Sequence, residues 1–279
     1  MKTSTPRTAA KTPPSRRVRL WSRFGYDHRW WGEPPREAAG RSYWYQSRRP
    51  LTSLAFIAPI ILAYEGGMAW LPEGEAARAG ADLWLRQGLG STGLAERGLV
   101  PLVLVLGLLG WHACDSRDWR FSPATLVGMT IESLALAVAL IGLGHLVDRA
   151  LDRLESSTPL AAVLPMATLV GYLGAGLYEE ALFRLALIPP LFWTCRVLQA
   201  PGPLAGTVAV TTSALGFAMA HHAGSPGEVF TWFAFFFRWA AGVFFAWVFV
   251  RRGFGVAVGT HTVYDILVGQ YGRPNQFGP

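Results

Sequence analysis

Hydrophobic positions in this chain do not recur at intervals; they run together. Seven apolar stretches, at about 51–70, 98–114, 123–146, 160–187, 204–222, 229–250 and 254–270, are each ended by charges, proline or glycine. The hydrocarbon core of a bilayer is about 30 Å thick and takes about 20 apolar residues of helix to cross. Stretches of this length, with no strand-like alternation, predict an all-α fold: a polytopic transmembrane helix bundle of about seven spans. The second and last stretches are short, and the fourth is long enough to bend. Neither a soluble domain nor an internal repeat is visible between them.

Residues 1–50 differ in kind. They contain no run of seven apolar residues, so no signal peptide is expected, and they hold twelve Lys and Arg against three acids in a chain whose net charge is +7. Pro13, Pro14, Pro34 and Pro35 oppose long helix there, while Trp21, Trp30, Trp31, Tyr43, Trp44 and Tyr45 interleave with arginines as side chains do at a headgroup interface. The expected division is a basic cytoplasmic tail over 1–50, partly disordered and partly interfacial, and a transmembrane domain over 51–279. A basic tail directly ahead of an apolar span answers to the positive-inside rule and to anionic headgroups, so the lipid bilayer rather than nucleic acid is the expected partner.

Arg48 and Arg49 precede the first stretch, and Arg251 and Arg252 close the sixth, so both pairs fall on the cytoplasmic side if every stretch crosses. Glu73, Glu75 and Asp82, and later Asp148, Asp152 and Glu155, then lie on the other side. Composition adds that 51% of residues are hydrophobic and 15% charged, which excludes the ordinary soluble classes. The preference for Arg over Lys points to a GC-rich genome and so to a bacterial inner membrane. Cys114 and Cys195 stand in neither a CxxC nor a metal-ligand spacing and are expected to be packing residues.

Charges inside the apolar stretches carry the functional information. An ionisable group at the centre of a membrane helix costs about 2.5–3.5 kcal/mol, so each needs a partner or a purpose. Glu65, Glu132, His145 and Arg238 occur singly, and one interhelical hydrogen bond or ion pair accounts for each of them. Arg238 is a candidate partner for Glu65 or Glu132, although spacing does not support it. The fourth stretch is different: Glu179-Glu180-Ala-Leu-Phe-Arg184 places three charges in one apolar helix. Residues four apart share a face, so Glu180 can pair with Arg184, whereas Glu179 is turned about 100° away. An apolar interior thereby gains a carboxylate left over to accept a proton, the property of a general base.

The fifth stretch ends in Phe217-Ala-Met-Ala-His221-His222, and the seventh contains His261-Thr-Val-Tyr-Asp265, another pair four apart. A lone buried histidine is ordinarily a satisfied core residue. Two histidine sites, a carboxylate and a Glu-Glu-Arg cluster on three separate apolar helices form instead a set of polar groups able to converge on a catalytic or transport site. Either His221 or His222 could face it.

These residues resemble the CPBP intramembrane protease family, which contains the type II CAAX prenyl endopeptidases and the Abi proteins. Its Glu-Glu-x-x-x-Arg, Phe-x-x-x-His and His-x-x-x-Asn/Asp motifs stand here, in order, as Glu179-Glu180…Arg184, Phe217…His221 and His261…Asp265, within residues 160–270. The resemblance implies an intramembrane endopeptidase acting on a peptide or protein substrate at the membrane. By carry-over Glu179 is the base that activates water, Glu180 and Arg184 a supporting pair and His221 a positioner of the water, while His261 and Asp265 face the developing oxyanion.

Asp265 stands where many members have asparagine. Asn can donate to an oxyanion and an ionised Asp cannot, so Asp265 either orients His261 or is protonated. The family is also described as metalloproteases, and two histidines with carboxylates could hold zinc, but the compact HExxH spacing is missing, which ranks zinc below glutamate catalysis.

Two other functions fit the same polar groups: a proton-coupled membrane transporter, and a non-catalytic membrane scaffold whose buried charges fix helix packing. One geometric tension remains. With the fifth stretch starting near Leu204, His221 lies about 26 Å along its helix, while Glu179 falls toward the nearby end of the fourth. A shared site then requires a bend, for which Gly174, Gly176 and Pro189-Pro190 are the candidates.

Overall fold

The computed structural model describes residues 42–71, 78, 80–90, 98–114, 118–150, 164–223 and 230–271. The elements among them are helical: α1 Tyr43–Gln46, α2 Pro50–Trp70, α3 Gly80–Gly90, α4 Leu99–Cys114, α5 Pro123–Ala150, α6 Met166–Glu179, a π-helical segment Glu180–Leu187, α7 Ile188–Val197, α8 Gly202–Ala220, α9 Trp232–Arg252 and α10 Phe254–Tyr271. Each of the seven apolar stretches therefore forms helix, and the chain is an all-α polytopic membrane bundle. Pro50–Trp70, Pro123–Leu146, Gly202–Ala220 and Trp232–Arg252 are long and apolar enough to cross a bilayer, and Leu99–Cys114 is a shorter apolar helix.

α10 occupies the middle of the bundle, packed against α2, α5, α6 and α9. Its residues 254–262 are buried without interruption, with Val256, Ala257 and Val258 fully so. Over that stretch the helix meets protein rather than lipid, which is why it tolerates His261; Asp265 and Gln270 lie in its half-buried second part. Peripheral helices show the opposite pattern. Val127, Ile131, Leu134 and Val138 of α5 recur at helical spacing and are exposed, the face a span turns to lipid.

The α9–α10 junction depends on Gly253, whose φ of +93° lies in the left-handed region; a Cβ there would also press on the Arg48 backbone. The Gly255 N–H at the start of α10 donates to Ser53 Oγ of α2 at 3.1 Å, satisfying one of the donors a helix start leaves free.

Three expectations are corrected. Asp82 is not a linker acid: it opens α3, is fully buried, and is held by Arg78 at 2.8 Å and Arg86 at 2.7 Å. The fourth span does not end near 187 but runs on through Pro189-Pro190 to Val197. The singly occurring Glu65 and Glu132 are held by Arg86 and Arg252, not by Arg238. Of the basic tail, residues 1–41 lie outside the described residues, as do Glu73, Glu75, Asp152 and Glu155. Its last part packs on the bundle: Tyr43 donates to Glu132, and the Arg252 guanidinium stacks over Trp44 at 3.9 Å and donates to Ser47 Oγ at 3.0 Å.

Candidate active site

Helix α6 keeps α-helical bonding as far as Glu179 and then widens into π turns over Glu180–Leu187. The sequence supplies a cause. Pro189 and Pro190 have no N–H, so they cannot close the turns back to Leu185 and Ala186, and their rings crowd the carbonyls a normal turn would place there. Two neighbours steady the widened backbone. Ser213 of α8 donates to the Phe183 carbonyl at 2.6 Å, and Arg184 donates to the Gly242 carbonyl of α9 at 3.3 Å. The irregularity thus falls on the Glu-Glu-Arg cluster itself rather than at Gly174 or Gly176. Gly176 serves packing instead, since a Cβ there would collide with Thr262; its bare backbone lets α6 and α10 approach closely.

The tension over depth disappears once α7 is counted. Glu179 and His221 stand equally far from residue 200, inside the Leu198–Pro201 turn that joins α7 to α8. About 27 Å of helix leads from Glu179 to that turn, and about 27 Å leads back to the end of α8. An antiparallel pair folded there brings the two residues level. The same symmetry holds around Gly253, with Phe245 and His261 each eight residues away; their rings stack at 4.4 Å with 14° between planes. Two hairpins therefore deliver three separated motifs to one place.

All six residues singled out in the sequence meet there. Glu179 Oε2 lies 3.8 Å from His221 Nε2 and 3.8 Å from His261 Nε2. Glu180 divides its oxygens between two partners, Oε1 at 2.8 Å from His261 Nδ1 and Oε2 at 3.2 Å from Arg184 Nε. Asp265 Oδ2 is 3.5 Å from His261 Nε2, on the Glu179 side of the ring. Glu180 thus holds His261 from behind, leaving Asp265 at the front with the nitrogen that faces Glu179. His221 Nδ1 lies 2.8 Å from the Phe217 carbonyl, so as a donor there it leaves Nε2 turned toward Glu179. His222 points away, against Phe230 and Phe235.

Exposure divides the cluster into two sides. Glu180 and Arg184 are fully buried, whereas the Glu179, His221 and Asp265 side chains keep 14%, 18% and 14% of their accessible surface. The second set keeps some accessible surface, and aromatic rings close off the first. Phe217 packs edge-on against His261 and carries the Arg184 guanidinium over its face at 4.4 Å. Glu179 Oε2 has no hydrogen-bond partner among the described residues. A buried acceptor left unsatisfied is costly, and a small polar molecule between Glu179 and the two imidazoles would satisfy it.

Sequence reading missed two contributors. The Glu180–His261 contact joins motifs 81 residues apart, which no local spacing signals. Arg238 precedes Gly242 and Phe245 by four and seven residues and so shares the α9 face that meets Arg184 and His261. Its charge acts on Glu179, His221 and Asp265. That spacing becomes legible once α9 is known to border the site.

Among the described residues, no group of three or more His, Cys, Asp or Glu side chains is arranged to hold a metal ion. Tetrahedral zinc at 2.0–2.1 Å from its ligands sets donors about 3.4 Å apart. The Glu179–histidine separations are wider at 3.8 Å, and that between Asp265 and His261 is 3.5 Å.

Residues 161–267 match the family model for type II CAAX prenyl endopeptidase Rce1-like proteins. The matched stretch contains all three motifs, so it supports the resemblance to the CPBP family and protease activity at a membrane. No curated protein and no solved structure matches the chain.

Proposed function

We propose, from the similarity of residues 161–267 to Rce1-like proteins, that the chain is an intramembrane endopeptidase using glutamate-activated water on a peptide of a membrane-associated precursor. The observation that carries the reading is the unpartnered Glu179 oxygen, 3.8 Å from each of two imidazole nitrogens on different helices. A water seated between them gives one proton to Glu179 and directs the other at His221 Nε2, leaving its lone pair toward the scissile carbonyl.

As the water oxygen bonds to carbon, the carbonyl oxygen takes up negative charge. His261, holding Glu180 with Nδ1, donates from Nε2 to that oxygen when it carries both protons, and Arg238 adds positive charge near Glu179. Collapse breaks the C–N bond, and Glu179 returns its proton to the departing amine. Asp265, beside Nε2, favours the doubly protonated imidazole as an anion and donates to the oxyanion as a neutral acid.

The test is cleavage of membrane-anchored peptides by purified protein in detergent or vesicles. Glu179→Gln is expected to lower turnover by at least about a hundredfold, with thermal unfolding unchanged. Full cleavage by a Glu179→Gln and His221→Ala double variant would rule the reading out.

A further inference from the structure

Tyr178, next to Glu179 in the chain, belongs to a second, partly buried polar cluster that the reaction above does not use. Its hydroxyl donates to Glu65 Oε1 of α2 at 2.5 Å. Arg86 of α3 binds Glu65 at 3.0 Å and also Asp82 at 2.7 Å. Asp82 in turn accepts from Arg78 and from Tyr64, both at 2.8 Å. Tyr64 is fully buried, packs edge-on against Tyr178 with centroids 5.3 Å apart, and fills the space that a side chain at Gly174 would need. Five charged or phenolic groups from α2, α3 and the segment before α3 thus converge on the last turn of α6.

The location gives this cluster a consequence beyond stability. Hydrogen bonding changes from α to π at Glu180, so the downstream helix does not by itself dictate the rotation of Glu179. Downstream, Ser213 and Gly242 hold the π segment. Upstream, Tyr178 holds the turn that carries Glu179. One residue back along a helix is about 100° of rotation, so Tyr178 facing Glu65 turns Glu179 toward α8 and α10.

We infer that Tyr178 and Glu65 are positioning residues for Glu179: their hydrogen bond, braced by Arg86 and Asp82, sets the rotation of the turn from which the base reaches His221 and His261. The inference rests on the proposed reaction. Its experiment compares Tyr178→Phe, which keeps the ring and removes the hydroxyl, with wild type and with Glu179→Gln.

Tyr178→Phe is expected to lower kcat per folded molecule about tenfold while leaving KM unchanged, the sign of a misplaced group rather than lost binding. Glu65→Gln, which retains an acceptor for the tyrosine, is expected to lose less than Glu65→Leu. The infrared carboxyl band that disappears in Glu179→Gln is expected to move in Tyr178→Phe. Unchanged kcat together with an unmoved band overturns the inference while the protease reading stands. A moved band in a protein that cleaves nothing removes the protease reading and keeps the positioning role. Should Tyr178→Phe fail to fold, equal losses in Glu65→Gln and Glu65→Leu overturn the inference.

Discussion

Two buried charge clusters within one bundle have opposite finish. Around Glu132, both carboxylate oxygens are used: Arg252 bonds the pair through Nε and Nη2, Tyr43 donates to Oε2, and the guanidinium is stacked against Trp44. Burial first, and then Glu132, push the Tyr43 hydroxyl to a higher pKa, so it stays a donor throughout the range in which carboxylates and imidazoles titrate. Around Glu179 two imidazoles stand 3.8 Å off, too far to hydrogen-bond, and Oε2 is left without a hydrogen-bond partner among the described residues. A membrane interior penalises both arrangements, but only the first recovers its cost in closed hydrogen bonds. The difference teaches that missing hydrogen bonds together with residual exposure set Glu179 apart, since Glu180 Oε2 and Arg184 Nε also lack hydrogen-bond partners among the described residues but are fully buried.

The comparison is broken most directly at its two acids. Glu179→Gln should abolish turnover and leave unfolding in place, whereas Glu132→Gln should do the reverse. Removing one partner of a fully buried pair costs about 3–5 kcal/mol and of this part-buried one less, so Glu132→Gln is expected to lower the unfolding midpoint with kcat per folded molecule retained. Thermal unfolding followed by tryptophan fluorescence, beside a cleavage assay on the same samples, separates the two; a shared pattern of loss would erase the distinction.

A smaller effect is expected where the clusters' roles meet. Ser213→Ala leaves the buried Phe183 carbonyl without its donor, which should cost about 1–3 kcal/mol and slow cleavage through a shifted π segment, with KM unaltered. Stability loss with unchanged kcat would place Ser213 among the packing residues instead. The smallest expected effect is that of chelation: metal analysis of the purified protein, with cleavage measured before and after chelator, should show turnover unchanged. Activity lost to chelator and restored by zinc would move the reaction from Glu179 to a metal.

Much of the site is legible in the residues themselves. Glu179, Glu180 and Arg184 stand out because three charges in one apolar helix are too costly to be incidental, and the i, i+4 rule pairs Glu180 with Arg184, as the structure does, and leaves Glu179 over. The choice between His221 and His222 is not legible, since adjacent residues at a helix end differ only in rotation. Nor is the bend. The Pro189-Pro190 pair is visible, but whether prolines break, kink or widen a helix depends on which neighbours accept the displaced backbone, here Ser213 and Gly242.

Length and hydrophobicity alone determined that this chain is a bundle of membrane helices, because in lipid a backbone must satisfy itself and helices of about 20 apolar residues do so. Residue chemistry determined which helices carry ionisable groups in an apolar setting. Tertiary structure alone decided that Glu180 meets His261, that Arg238 lies near Glu179, and that Glu65 and Asp82 bond the tyrosines packed beside the last turn of α6. Those contacts join residues far apart in the chain, and the spacing of side chains along one helix carries no record of the rotation of the next.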